Sequence, residues 1–246
     1  MSTSPFLVIA HRGASAYAPE NTTAAFDLAL ELGAHHIEFD VELSSDGHIV
    51  VIHDDTLDRT TNGSDLVTAR TLAELRRLDA GSWFGARFAG ERIPIYSDVL
   101  KRYRGRAHLH TEIKGQSPVL ARRVADVVRT RCMQQQVTLT SFHLKQLEEI
   151  RASAPELATG WLVDEVTEKV MAEARAMGLS QICPRADGIT PELVGRLHAE
   201  GFVVRAWGVN DEELMARVVA AGADGATVNW PDRLLAYLEE QGREYE

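Results

Sequence analysis

The chain has 246 residues, 45% of them hydrophobic and 25% charged, with 26 Lys and Arg against 36 Asp and Glu for a formal net charge of −10. This composition excludes disordered, collagen-like and low-complexity chains, and the acidic balance argues against nucleic acid or an anionic membrane surface as a partner. Cys132 and Cys183 are too few for a disulfide framework, and no basic leader precedes the short apolar run at Phe6–Ala10, so the expected location is cytoplasmic, with no stable membrane association.

Short apolar runs alternate with amphipathic stretches from end to end. The first run, Phe6–Ala10, leads to a helix predicted over Thr22–Leu32, with Asn21 as its N-cap and Gly33 just past its end. The next runs, Ile37–Leu43 and Ile49–Ile52, flank Ser45-Asp46-Gly47-His48, and Asp-Gly is a strong hairpin signal. A two-residue turn there pairs Leu43 with Val50 and sets His53 directly opposite Asp40. Residues 54–92 read as a loop-rich insertion with one helix at Leu72–Leu78, long enough to be a lid or binding loop. Further strands follow at Ala107–Ile113, Val137–Ser141, Gly160–Val163, Ser180–Cys183, Phe202–Trp207 and Gly225–Val228. Between them lie a helix at Val119–Arg131 with one apolar stripe, one opened by Thr190-Pro191, one at Asp211–Ala221, and a last one opened by Pro231. Repeated strand–helix units at this length predict a TIM (β/α)8 barrel of one domain, residues 1–246, with the hairpin over residues 40–53 extending above its C-terminal mouth.

Four segments concentrate chemistry at that mouth. Residues two apart on a strand share a face, so Glu38 and Asp40 project together, as do His110, Glu112 and Lys114. His11-Arg12-Gly13 ends the first strand, and His53-Asp54-Asp55 ends the hairpin. Each pair alone also suits a structural salt bridge. Together, Glu38, Asp40 and Glu112 make an all-oxygen site suited to Mg²⁺ or Ca²⁺, with Mn²⁺ also admissible and zinc disfavoured. His11 and His53 supply an acid and a base, and Arg12 and Lys114 supply fixed positive charge for a phosphate. This set points to phosphoryl chemistry.

His11-Arg12-Gly13, Pro19-Glu20-Asn21-Thr22, Glu38-x-Asp40, the block His53-Asp54-x-Thr56-Leu57-x-Arg59-Thr60-Thr61-x-Gly63 and Glu112-Ile113-Lys114 together resemble the glycerophosphodiester phosphodiesterase family. Ser141-Phe142, Trp207-x-Val209-Asn210 and Gly222-x-Asp224-Gly225 fit as well, and the resemblance runs over about residues 6 to 235. It implies a TIM barrel that hydrolyses glycerophosphodiesters to an alcohol and sn-glycerol 3-phosphate. Glu38, Asp40 and Glu112 would hold the metal, His11 and His53 would be the acid/base pair, Arg12 and Lys114 would contact phosphate, and Trp207 would pack against the glycerol end. Three departures stand out. Glu42 stands where Gln is common and is a candidate extra ligand, His110-Thr111 replaces a polar–aliphatic pair, and Ala226–Pro231 replaces a frequent Ile-x-Thr-Asp-x-Pro. Two rival readings are a lysophospholipase D-like or phosphoinositide-cleaving enzyme, and a barrel that binds a phosphorylated metabolite without turnover. The first lacks a basic interfacial helix, and the second has no use for two histidines. The sequence leaves the oligomeric state open.

Overall fold

The computed structural model describes residues 5–246. Its eight parallel strands are β1 (Leu7–His11), β2 (His36–Leu43), β4 (His108–Ile113), β5 (Val137–Ser141), β6 (Ala158–Val163), β7 (Gln181–Pro184), β8 (Val203–Val209) and β9 (Gly225–Val228). They close into a barrel because β1 pairs with both β9 and β2. The ninth strand, β3 (Ile49–Val51), runs antiparallel to the upper half of β2 and lies outside the ring. The chain is therefore a TIM barrel with a hairpin at its mouth, as the alternation of runs predicts.

Helices α1 (Thr23–Glu31), α3 (Tyr96–Tyr103), α4 (Leu120–Thr130), α5 (Leu144–Ser153), α6 (Glu168–Met177), α7 (Pro191–Ala199), α8 (Glu212–Ala220) and α9 (Pro231–Glu240) alternate with the barrel strands around the outside. The apolar core lies between ring and helices, because the outward residues of each strand are the apolar ones. Ile37, Phe39 and Val41 of β2 pack there. Phe26 of α1 sits 5.5 Å from Phe39 and edge-on to Tyr103. A fully buried side chain of this size contributes about 1.5–3 kcal/mol. Among the described residues, no helix is long and apolar enough to cross a membrane.

The inward residues are unusual for this fold, whose barrel interior is commonly packed with Val, Ile and Leu. His36 and His110, together with Thr138, Thr140, Gln181, Arg205 and Thr227, are buried polar residues of the inward strand faces. His36 stacks on His108 at 5.2 Å, and its Nδ1 lies 3.1 Å from His110 Nε2. The charged mouth thus sits above a polar floor.

Two local expectations are corrected. The hairpin register is shifted by one residue: Val41 pairs with Val51 and Leu43 with Ile49, so Ile52 rather than His53 stands beside Asp40. The loop holds three residues, not two. Gly47 N–H donates to Ser44 C=O, and Gly47 takes φ +80° before Ser44 and His48 close the ladder. A type I turn followed by a left-handed glycine adds the extra residue as a bulge. Asn21 also does not cap α1. Thr22 does, its side chain accepting from Ala25 N–H, while Asn21 adopts φ 58° and turns toward Asp40. The predicted helix at Leu72–Leu78 is the single turn α2 (Leu72–Leu75), closed by a capping box between Thr71 and Glu74. Within the insertion, Leu57, Val67, Leu75 and Ala80 join Val50, Ile52 and Ile93 in a second apolar cluster. That cluster fixes the segment carrying His53 over the barrel mouth.

Candidate active site

The turn after β1 does much of the positioning. Arg12 has φ 54°, a left-handed conformation that costs a non-glycine residue about 1–2 kcal/mol. Gly13 follows at φ +81°, and a Cβ there would come within 2.7 Å of Ala25, so only glycine lets the turn pack on α1. The bend aims Arg12 N–H at Glu38 Oε2, 3.0 Å away. It also brings the Arg12 guanidinium to Glu20 Oε1 at 2.7 Å and Asp40 Oδ2 at 3.3 Å. Asn21 Nδ2 donates to Asp40 Oδ2 at 2.9 Å.

Glu38, Asp40 and Glu112 are all buried, and their carboxylate oxygens approach within 4.8 Å of one another. Asp40 pairs with Glu112 across adjacent strands, one step from Glu38. Glu38 Oε1 and Asp40 Oδ1 have no hydrogen-bond partner. Lys114 Nζ is 3.1 Å from Glu112 Oε1, an ion pair that lacks hydrogen-bond alignment. Burial and mutual repulsion push Glu38 well above the usual carboxylate range and Glu112 up to about 7. Three buried acids with free oxygens ionise together only beside added positive charge. A hard divalent cation fits that need and this donor set. Glu42 stays outside the trio: its Oε1 accepts from Leu43 N–H, and its carboxylate occupies the space a side chain at Gly115 would fill.

The two candidate histidines are held differently. His11 Nδ1 donates to Asn229 Oδ1 at 2.6 Å, and its Nε2 lies 4.0 Å from Glu38 Oε2. Burial, aided by the Arg12 charge, lowers its pKa to about 4, so it is neutral at pH 7 with its Nε2 lone pair free. His53 Nδ1 donates to Asp54 Oδ1 at 2.6 Å. Asp54 accepts from Arg59, which also binds both oxygens of Glu20, and Glu20 accepts from Arg12. Hydrogen bonds from Arg59 hold Asp54 well below the carboxylate range. Burial works against ionising Glu20, yet Arg59 and Arg12 bring it down to about 2. This chain of ion pairs links His53 to Arg12 across the mouth.

A cavity of about 350 Å³ collects these groups. His11, Arg12, Glu38, His53, Glu112 and Lys114 line its charged side, while Trp207, Phe142 and Leu162 make an apolar wall. Trp207 stands edge-on to Phe142 at 4.9 Å, and its Nε1 donates to Val163 C=O. Sequence-predicted candidates therefore meet here, with Asp40 buried just behind. Sequence reading missed the contact of Asn229 with His11. Closure of the barrel was the available signal, because β1 and β9 are neighbours and their ends must meet. It also missed Arg205 and Thr140 at the cavity floor.

Comparison with known proteins adds independent findings. The profile of the glycerophosphoryl diester phosphodiesterase family matches residues 11–233. A glycerophosphodiester phosphodiesterase of Caldanaerobacter subterraneus subsp. tengcongensis is 39% identical over 240 residues, covering 96% of this chain and 99% of its own. An Oleispira antarctica phosphodiesterase, solved in complex with the product sn-glycerol-3-phosphate, is 30% identical with a TM-score of 0.89, covering 94% of this chain and 96% of that one. A glycerophosphodiester phosphodiesterase from Agrobacterium tumefaciens superposes with a TM-score of 0.83 at 33% identity, covering 93% and 98% of the two chains.

Proposed function

The chain belongs to the glycerophosphoryl diester phosphodiesterase family, and on that premise we propose that it hydrolyses glycerophosphodiesters such as glycerophosphocholine or glycerophosphoethanolamine to an alcohol and sn-glycerol 3-phosphate. One observation carries the reading: two separately oriented imidazoles and a buried carboxylate trio converge with Arg12 and Lys114 on one cavity. Glu38, Asp40 and Glu112 would hold one divalent cation, Mg²⁺ or Ca²⁺, which when bound neutralises phosphoryl charge.

Arg12 and Lys114 orient the phosphate, and the Trp207 wall receives the glycerol carbons. His11 serves as base, since its Nδ1 proton is committed to Asn229 and its Nε2 is free. His53 serves as acid: the hydrogen bond from its Nδ1 to Asp54 orients the ring and leaves Nε2 as its remaining proton-transfer atom. The nucleophile we infer is the substrate's own 2-hydroxyl. His11 takes its proton as it attacks phosphorus, His53 protonates the departing alcohol, and the histidines exchange roles when water opens the cyclic phosphate. An intramolecular hydroxyl gains up to about 7–11 kcal/mol from proximity. The test compares glycerophosphocholine with its 2-deoxy analogue, with binding of the analogue measured separately. The analogue should bind and resist cleavage. Cleavage at a comparable rate would instead make water the direct nucleophile.

A further inference from the structure

Arg205 is the largest fully buried side chain of the barrel, 1% exposed, and it belongs to none of the groups assigned above. It sits on β8 two residues before Trp207, so both project from the same strand face, with Arg205 one layer deeper. Its Nη1 donates to Thr227 Oγ1 at 2.7 Å on neighbouring β9. Its Nε and Nη2 are buried with no partner. Thr140 Oγ1, wholly buried on β5, is also unpartnered. Both residues line the same cavity as His11 and Lys114.

A buried guanidinium with two idle donors is costly, because a charge removed from water needs acceptors to replace it. Its neighbours do not supply them: Thr227 takes Nη1, and no acceptor partners Nε or Nη2. Arg205 is one of the residues that line the cavity, so an acceptor carried in by a ligand and reaching its guanidinium would complete it. The carboxylate trio and Lys114 already claim the phosphate end. What reaches the floor past Trp207 is the polyol end of the substrate, whose hydroxyl oxygens accept hydrogen bonds. A planar fork of N–H donors suits two adjacent oxygens.

We propose that Arg205, together with Thr140 of the same cavity, is a specificity-determining residue that binds the hydroxyl oxygens of the glycerol moiety. This rests on the glycerophosphodiester reading above. The site distinguishes a glycerol-bearing phosphate from one with a plain alkyl group by leaving a buried cation unsatisfied in the second case. Thr140 adds one hydroxyl that both donates and accepts.

The experiment measures equilibrium binding of sn-glycerol 3-phosphate and of methyl phosphate by calorimetry, with Mg²⁺ present. The two ligands share a phosphate monoester and differ in their hydroxyls. Wild type should favour sn-glycerol 3-phosphate, and Arg205→Met should lose about 10-fold or more of that preference while binding methyl phosphate nearly unchanged. Thr140→Val, which preserves shape, should lose a smaller share, and Arg205→Lys should recover part of it. Thermal unfolding of each variant controls for damage to the barrel. An unchanged preference in both Arg205→Met and Thr140→Val, no preference in wild type, or an equal loss for both ligands would overturn the assignment. Turnover of glycerophosphocholine by wild type is measured alongside. Absence of turnover with the binding preference intact refutes the catalytic reading alone, and turnover with no preference refutes the Arg205 assignment alone.

Discussion

The histidines beneath the cavity make stability sensitive to acid, and His36 allows the effect to be worked out. It is 5% exposed, and burial, reinforced by the charges of His35 and Arg205, lowers its pKa from 6.5 to about 4. Between those values the unfolded chain binds more protons at this position than the folded one. Stability therefore rises with pH through that window, is fully present above 6.5, and is lost as pH falls toward 4. At pH 5, roughly 1.5 units below the unfolded value, the loss from His36 alone is about 2 kcal/mol at about 1.4 kcal/mol per unit. Glu38 and Glu112, whose pKa values are raised, act in the opposite direction, so the informative quantity is the difference between wild type and His36→Gln. Urea unfolding of both at pH 8 and pH 5 should show wild type losing about 2 kcal/mol more than the variant. Parallel pH dependence in the two proteins would mean that His36 is not a buried neutral imidazole.

Further predictions concern the mouth. His11→Ala and His53→Ala should each lower the rate of glycerophosphocholine hydrolysis by roughly 10²–10⁴, and the double variant by less than the product, because the pair works as a unit; near-wild-type rates in either single variant would remove that residue. Asn229→Asp places a carboxylate against His11 Nδ1, which raises the His11 pKa from about 4 and should move the acid limb of kcat/KM upward by about one unit or more. A pH profile with an unmoved limb would show that His11 is not the base. Arg59→Ala unties Asp54 from Glu20, and should lower kcat about 10-fold with a smaller change in KM, as expected if it orients His53; an unchanged kcat would show that Asp54 holds His53 unaided.

Much of this arrangement was legible in the residues because strand parity is a strong constraint. Glu38 and Asp40 on one strand and Glu112 and Lys114 on another had to share the inward face once Ile37, Phe39 and Ile113 were assigned outward. The ring itself followed from eight runs with helical segments between most of them. The hairpin register was not legible, since Ser-Asp-Gly-His admits loops of two or three residues: a two-residue type I′ turn needs positive φ at both Asp46 and Gly47, and of the two only Gly47 adopts it. Asn21 looked like a helix cap because Asn and Thr suit the same position, and the competition was settled by the open oxygen of Asp40. For Arg205 the signal was strand parity alone: it shares a face with Trp207, but nothing in the sequence says that its guanidinium is fully buried or that Thr227 is its partner.

The most direct test of the central claim uses protein stripped of divalent cations by chelation and ³¹P NMR of glycerophosphocholine. The spectrum should stay that of the diester in chelator and convert to sn-glycerol 3-phosphate when Mg²⁺, Mn²⁺ or Ca²⁺ is returned, with Glu112→Gln needing more cation yet unfolding as a cooperative, native-like protein. Full conversion in excess chelator, or an intact diester with each of the three cations present, would contradict the account.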